Sequence, residues 1–180
     1  DAIAALKHIG VGQASIRRSL ELNENDPDTL IVAGRFFLME AKACNDETAK
    51  AENQAKGELY FRQALNLIME DERLDYLFTI GAACFDTQNF KLAAQYYEQI
   101  NREVPDSAPA TYFFLAYCYF YLEEAISCMH YIAKMKHELP DAYSNLGTSD
   151  SILSDTRFNE LMRNLKDSVN NGKVDLDNFL

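Results

Sequence analysis

Residues 77–107 read LFTIGAACFDTQNFKLAAQYYEQINREVPDS, and two spacings inside this stretch indicate its structure. In the first spacing, Leu77, Ile80 and Gly81 stand at i, i+3 and i+4, while in the second Ala93 and Tyr97 are four residues apart. Residues at these intervals lie along one face of an α-helix. The small residue in each set lets a neighbouring helix approach closely, so the stretch predicts two helices that pack against each other.

Both spacings recur along the chain, and they alternate. The first spacing returns around Gly34, Ala116 and, more weakly, Gly147, and the second returns around Gly12, Gly57 and Ala125. Repetition of one helix pair at a roughly constant interval is typical of helical repeat proteins, in which each pair buries its apolar face against its neighbours. We therefore predict an all-α chain built from antiparallel helix pairs.

These spacings resemble the tetratricopeptide repeat, whose units carry W-x2-L-G-x2-Y, then A-x3-F, and then a proline near the end. Residues 74–107 match that pattern at Gly81, Ala93, Tyr97 and Pro105, without the tryptophan. The resemblance implies a right-handed superhelical stack of antiparallel helix pairs, forming a single domain over 1–180 with a C-terminal capping helix. The implied units are 1–26 (incomplete), 27–73 (with extended helices), 74–107, 108–139, and 140–180 (a degenerate unit plus the capping helix).

The chain departs from the regular repeat in three places. The polar, helix-favouring stretch 45–56 lengthens one unit, which predicts a long second helix with Asn45 or Asp46 as its N-cap. The unit after residue 116 is short, which suggests that the turn between Leu122 and Glu123 has lost its usual three residues. The incomplete first unit predicts more sequence upstream, and the apolar spacing in 151–168 predicts a capping helix from about Asp155.

Composition and charge argue against several functions. The net charge is −11, whereas binding to nucleic acid phosphates needs a basic face, so we expect no nucleic acid partner. Residues 107–122 form a tyrosine-rich window without a charged residue, and this window is shorter than the ~20 apolar residues of a membrane span. The four cysteines show no CxxC pairing, which indicates free thiols and a cytoplasmic location.

The sequence contains no recognisable catalytic or metal-binding arrangement. His8, His130 and His137 are scattered, and no carboxylate or thiol stands at metal-ligand spacing from them. A glycine-rich phosphate loop, a G-x-S-x-G motif and an HExxH motif are all missing from the sequence. We therefore expect that the protein is not an enzyme and that it uses no cofactor and no metal.

The segment TYFFLAYCYFYL, residues 111–122, is apolar on two sides when it is drawn as a helix. Tyr112, Leu115, Ala116 and Tyr119 carry the repeat spacing and are expected to pack inside a helix pair. The other side carries further aromatic residues. In the family that the chain resembles, such positions of the first helices line a concave groove that binds peptides. The groove residues that the resemblance implies are Ile31, Arg35, Leu38, Phe78, Phe85, Phe113, Tyr117, Phe120 and Tyr121.

The expected function is a non-catalytic protein–protein interaction module that binds an apolar peptide or partner helix in this groove. Members of the family that grip a carboxylate use cations there, whereas Ile31, Phe78 and Phe113 occupy those positions here. Two alternatives stay open: a structural or oligomerisation subunit of a larger assembly, including a homo-oligomer, and a secretion chaperone that shields hydrophobic segments. Coverage of the aromatic residues by the chain itself is the further possibility that the sequence leaves open.

Overall fold

A computed structural model describes residues 12, 14–141, 156, 160 and 163 of the 180-residue chain. The described residues form helices, turns and short connections, and none of them lies in a strand. The all-α prediction is therefore confirmed for this part of the chain. The structure divides into two compact units, Asp1–Asn89 and Phe90–Leu180.

Seven α-helices and one 3₁₀ helix follow one another between residues 14 and 138. In the first unit these are α1 (14–22), α2 (Pro27–Ala43), α3 (Glu47–Leu67) and α4 (Arg73–Asp86). In the second unit they are α5 (Phe90–Glu103), the 3₁₀ helix (Pro105–Thr111), α6 (Tyr112–Tyr121) and α7 (Ala125–Glu138). No helix of the described residues combines the length and the apolar character that crossing a bilayer requires.

The starts of α2 and α3 are set by aspartate N-caps. Asp26 accepts a hydrogen bond from the Thr29 backbone N–H at 2.8 Å, and Pro27 follows at the first helical position. Asp46 accepts in the same way from the Ala49 N–H at 2.8 Å. Each carboxylate accepts a hydrogen bond from a backbone N–H that has no partner within the helix. Its negative charge also interacts favourably with the positive end of the helix dipole. The predicted cap at position 46 and the long helix after it are confirmed.

Helices α2 and α3 form an antiparallel pair that packs backbone against backbone. Gly34 of α2 faces Phe61 of α3, and Leu38, one turn later in α2, faces Gly57, one turn earlier in α3. A Cβ atom added at Gly57 would lie 2.9 Å from the Gly34 carbonyl oxygen, and one added at Gly34 would lie 3.0 Å from the Gly57 carbonyl oxygen. The close approach that the small residues predict is therefore present in this pair.

Helix α4 lies beside α2 and runs in the same direction. The Tyr76 hydroxyl, near the start of α4, donates to Asp28, near the start of α2, at 3.1 Å. Further along both helices, the Arg35 guanidinium pairs with the Asp86 carboxylate at 3.2 Å. Helix α3, which lies between α2 and α4 in the chain, runs antiparallel to α2, so that α2 and α4 are parallel neighbours.

In the second unit α6 and α7 form another antiparallel pair. Tyr112, at the start of α6, donates to Glu138, at the end of α7, at 3.1 Å. The rings of Tyr119 and Tyr131 stack further along the pair, with centroids 5.8 Å apart. The core of this unit contains Tyr97 of α5, whose ring stacks on that of Phe114 at 4.9 Å. As the sequence predicts, Tyr112, Leu115 and Ala116 are buried.

Two turns in the chain have the same hydrogen-bond geometry, 35 residues apart. After α4, the N–H groups of Gln88 and Asn89 donate to the carbonyls of Phe85 and Cys84. After α6, the N–H groups of Glu123 and Glu124 donate to the carbonyls of Phe120 and Tyr119. This is the Schellman type of helix end, and Gln88 and Glu123 have the left-handed φ values of 62° and 60° that it requires.

The expectation of a lost turn after α6 is therefore wrong. A three-residue turn is present, formed by Leu122, Glu123 and Glu124. The sequence has no glycine at this turn, and Glu123 adopts the left-handed conformation in its place. Two further predictions concern the C-terminal part of the chain and the number of domains. The weak copy at 143–150 and the capping helix from about 155 fall on a part of the chain of which the structure describes only residues 156, 160 and 163. The division after Asn89 falls inside the predicted unit 74–107, and the single-domain organisation stays a prediction.

Candidate functional site

The exposed side of α6 carries a row of aromatic side chains. Phe113 is 36% exposed and Tyr121 is 42% exposed, with the half-buried Tyr117 between them at the spacing of one helical face. The Phe113 and Tyr117 rings touch, with centroids 4.6 Å apart. Helix α6 contains no charged residue along its whole length. We call Phe113, Tyr117 and Tyr121 the α6 stripe.

Phe90 extends the α6 stripe at one end, and neither repeat spacing predicts it. Its ring stacks on that of Tyr121 with a centroid distance of 4.4 Å and an interplanar angle of 7°. Phe90 is the first residue of α5, directly after the Schellman turn. Its position at a helix start, outside both repeat spacings, gave no signal in the sequence that it would meet Tyr121.

The opposite side of α6 is fixed by hydrogen bonds. The Tyr119 hydroxyl of α6 and the Tyr131 hydroxyl of α7 both donate to Glu98 Oε1 of α5, at 3.0 Å and 2.6 Å. Burial, together with the nearby Glu98 carboxylate, raises the pKa of both phenols above its ordinary value of 10.0. One acceptor therefore connects three helices, and this connection sets the rotation of α6 that leaves the α6 stripe outside.

The four groove residues predicted in the second unit differ in their exposure. Phe113, Tyr117 and Tyr121 are brought together on α6, as described above. Phe120 is only 5% exposed and contacts Tyr121 edge-on at 5.2 Å. A side chain so buried supports its neighbour and offers little surface of its own, so Phe120 packs in the core of the unit and is no exposed anchor.

In the first unit the exposed positions of α2 are shifted by one residue from the predicted ones. Ile31 and Leu38 are buried, so both side chains contribute to packing, and they present no open surface. The residues that follow them, Val32 and Met39, are 57% and 54% exposed. Arg35 is exposed, as a groove position requires, and its guanidinium is paired with Asp86.

The predicted residues of α4 are half-buried. Phe78 and Phe85 both lie between the buried and the exposed classes of side chain, whereas Ala82, between them in the sequence, is exposed. Both side chains are therefore partly exposed at the surface of the first unit. Among the residues predicted for this unit, Arg35 is the exposed one, and the α6 stripe of the second unit carries the larger exposed aromatic surface.

A separate open cleft of about 950 Å³ lies between α1, α2 and α3 in the first unit. Its wall contains the rings of Phe36, Phe37 and Tyr60, and the Lys56 ammonium lies 5.7 Å from the centroid of the Phe37 ring. Asparagine and glutamine side chains and both signs of charge complete the wall. The cleft therefore has a mixed lining without one dominant chemistry.

The thiols and histidines of the described residues do not assemble a reactive site. Cys118 and Cys128 are buried, and burial raises the pKa of each thiol to about 12, so that neither is a thiolate at neutral pH. Burial, with the Lys134 charge, lowers the pKa of His130. The described part of the chain holds no group of three or more histidine, cysteine, aspartate or glutamate side chains that could bind a metal ion.

Comparison of the chain with protein-family models, with curated proteins and with solved structures finds no match in any of the three.

Proposed function

We propose that the chain is a non-catalytic protein-interaction module of the tetratricopeptide type that binds an apolar peptide or partner helix on the α6 stripe. The observation that carries this proposal is the exposure of Phe113 and Tyr121 on a helix without charged residues. Burying a large apolar side chain contributes roughly 1.5–3 kcal/mol, so two or three such rings are sufficient anchors for a peptide.

The rigidity of the α6 stripe supports binding. The rings of Phe113 and Tyr117 touch each other, the Tyr121 ring stacks on that of Phe90, and Glu98 holds the far side of the helix through Tyr119. Aromatic side chains have few rotatable bonds, and rings already held by neighbours lose little more conformational freedom when a partner covers them. The α6 stripe is therefore a surface that a partner can cover at low entropic cost.

Local geometry supports the repeat part of the proposal. Two antiparallel pairs, α2 with α3 and α6 with α7, and the parallel neighbours α2 and α4 are what a right-handed stack of helix pairs contains. The two Schellman turns recur at an interval of 35 residues, close to the 34 residues of the family. We therefore propose this stack, with the aromatic surface on a first helix, as the architecture of the chain.

The test is selection of peptides on the purified chain from a display library, followed by measurement of affinity by fluorescence anisotropy. We expect enrichment of sequences with large apolar residues at i, i+3, i+4 and i+7, the spacing of one face of a binding helix. The double variant Phe113→Ala with Tyr117→Ala should weaken binding by at least tenfold, since a lost aromatic anchor costs roughly 2 kcal/mol or more.

The matched control is Ile126→Ala, because Ile126 of α7 is 44% exposed and lies outside the α6 stripe. This variant should bind like the native chain. Circular dichroism checks that both variants keep their helix content, and the single variant Phe113→Ala replaces the double variant if the latter unfolds. Equal affinity of the native chain and the folded Phe113→Ala variant would show that the α6 stripe is not the binding surface.

Association with a second copy is the alternative that the same surface allows, because an aromatic row without charges can pair with itself across a two-fold axis. Light scattering over a range of concentrations separates the two. A monomer that binds peptides supports the interaction module, and a dimer that dissociates in the Phe113→Ala variant supports the oligomerisation surface.

A further inference from the structure

We propose that the partner of the α6 stripe carries a lysine or arginine next to its apolar residues, and that this cation pairs with Glu123. The inference rests on the proposed function and names the chemistry of the partner. Its basis is the charge around the exposed end of the stripe, where Tyr121 is the last residue of α6 and Glu123 follows two residues later.

Glu123 is an exposed carboxylate at the end of the α6 stripe. Its backbone N–H donates to the Phe120 carbonyl at 3.1 Å, which fixes the residue at the helix end. Its side chain makes no hydrogen bond and no ion pair with any other residue for which the structure gives a position. Glu123 follows Tyr121 by two residues, so a ligand that covers the Tyr121 ring and extends past the end of α6 can approach this carboxylate.

The neighbouring Glu124 differs from Glu123 in its surroundings. Its carboxylate accepts a hydrogen bond from the Ser127 hydroxyl at 3.3 Å. It also lines a cavity of about 310 Å³ on the Tyr119 side of α6, together with the cations Lys91 and Arg102. The negative charge of Glu124 therefore has positive groups around the same cavity, and Glu123 is not one of the residues that line it.

The other charged side chains near the end of α6 have both signs, since Lys91 and Arg102 line the cavity together with Glu98 and Glu124. Two positive and two negative charges offset each other there, and Glu123 adds a further negative charge. The carbonyl end of a helix carries a partial negative charge of about half an elementary charge, and α6 has no lysine, arginine or histidine to offset it. A partner that lays apolar side chains on Phe113, Tyr117 and Tyr121 thus brings its adjacent residue into a negative potential. A cation at that position is attracted, and a carboxylate is repelled.

Glu123 also lies at a costly backbone position. Its φ of 60° is in the left-handed region, which glycine adopts without strain and a residue with a side chain adopts at a cost in stability. This property separates two roles of the residue. If Glu123 serves only the turn, replacing it by glycine raises stability and leaves peptide binding unchanged. If its carboxylate binds the ligand, the same replacement raises stability and weakens binding.

The probes are three fluorescein-labelled peptides with leucines at i, i+3, i+4 and i+7 in an alanine and glutamine background. They differ only in one residue, which is lysine, glutamine or glutamate. In one set of the three peptides this residue stands beside the last leucine, and in a second set it stands beside the first. We expect the native 180-residue chain to bind the lysine peptide roughly two- to fivefold more tightly than the glutamine peptide in low salt. High salt should remove that difference.

The variants separate the inference from the proposed function. Glu123→Gln should abolish the preference for the lysine peptide, and Glu124→Gln should keep it. Glu123→Gly should bind the lysine peptide more weakly and yet unfold at a higher denaturant concentration. Equal affinity of the native chain for the three peptides, or an equal effect of both glutamine variants, would overturn the inference and leave the α6 stripe as a binding surface. Failure of every peptide to bind would overturn the proposed function and the inference together.

Discussion

At the scale of single residues, the rotation of a helix decides which side chains are available to a partner. The residues predicted on α2, Ile31 and Leu38, are buried, and the next residue in each case, Val32 and Met39, is exposed. Consecutive helical residues point about 100° apart, so an error of one position changes the face. The sequence spacing predicts the buried face well, because the spaced residues are those that pack against other helices. It locates the boundary between the buried and the exposed face only to within one residue.

The residues on α6 were predicted better, because the repeat spacing identifies the buried face of this helix. Tyr112, Leu115 and Ala116 carry the repeat spacing and are buried, while Phe113 and Tyr121 fall outside the spacing and are exposed. Phe120 is the exception, and its burial depends on how α6 is rotated by Glu98 and Tyr119. That hydrogen bond joins residues 21 positions apart in the chain, so no local pattern could predict it.

The shared acceptor Glu98 leads to a prediction about alkaline pH. Burial, with Glu98, raises the pKa of Tyr119 and Tyr131 in the folded chain above the unfolded value of 10.0. The neutral phenols therefore stabilise the fold fully below pH 10, and this contribution is lost as the pH rises above 10 and the unfolded chain releases its protons. We expect the free energy of unfolding, measured with urea and circular dichroism, to fall over that range.

The matched variant is Tyr119→Phe with Tyr131→Phe, which lacks both hydroxyls. It should be less stable at neutral pH and should lose stability less steeply above pH 10. Part of the slope remains, because the pKa values of Tyr76 and Tyr112 are raised in the same direction, chiefly by burial. An alkaline slope as steep in the variant as in the native chain would show that these two phenols do not carry the effect.

At the scale of helices, caps and small residues determined most of what could be predicted. The sequence predicts Asn45 or Asp46 as a cap, because both residue types favour the position before a helix-forming stretch, and the structure has Asp46 there. The 3₁₀ helix Pro105–Thr111 was not predicted, since its two prolines indicate a helix end in the sequence. Thr111 holds it in place, with its hydroxyl 2.7 Å from the Asn101 side-chain oxygen and from the Ala108 carbonyl oxygen, and such a contact depends on α5 being folded beside it.

The contact between α2 and α3 gives a prediction for the glycines. Gly57→Ala should lower the free energy of unfolding by about 1–3 kcal/mol, because the added Cβ would lie 2.9 Å from a backbone oxygen that cannot move independently. This cost exceeds the gain of up to about 1 kcal/mol that alanine brings to a helix interior. Urea unfolding of the native and variant chains measures the difference.

Gly12→Ala is the comparison for this variant. There the added Cβ would lie 2.8 Å from the edge of the Phe36 ring, a half-buried side chain that can rotate away. The cost of this change should therefore be clearly smaller than that of Gly57→Ala. If Gly57→Ala proved as stable as the native chain, the backbone contact between α2 and α3 would be looser than described.

At the scale of the whole molecule, the distribution of charge distinguishes one helix from the rest. The chain carries a net charge of −11, and each described α-helix except α6 contains charged residues. Like charges spread over a surface keep a protein soluble and discourage association between copies. The negative net charge and the charge-free aromatic helix α6 agree with the proposed partner, which is apolar where it touches α6 and basic beside it.

The central claim is that the α6 stripe is the surface through which this molecule binds its partner. The most direct measurement is a titration of the isotope-labelled native chain with the leucine peptide that carries lysine, followed residue by residue by NMR. We predict that the signals of Phe113, Tyr117, Tyr121 and Glu123 shift together and saturate at one dissociation constant. Saturable shifts confined to α1, α2 and α3, with the α6 signals unchanged, would contradict the account.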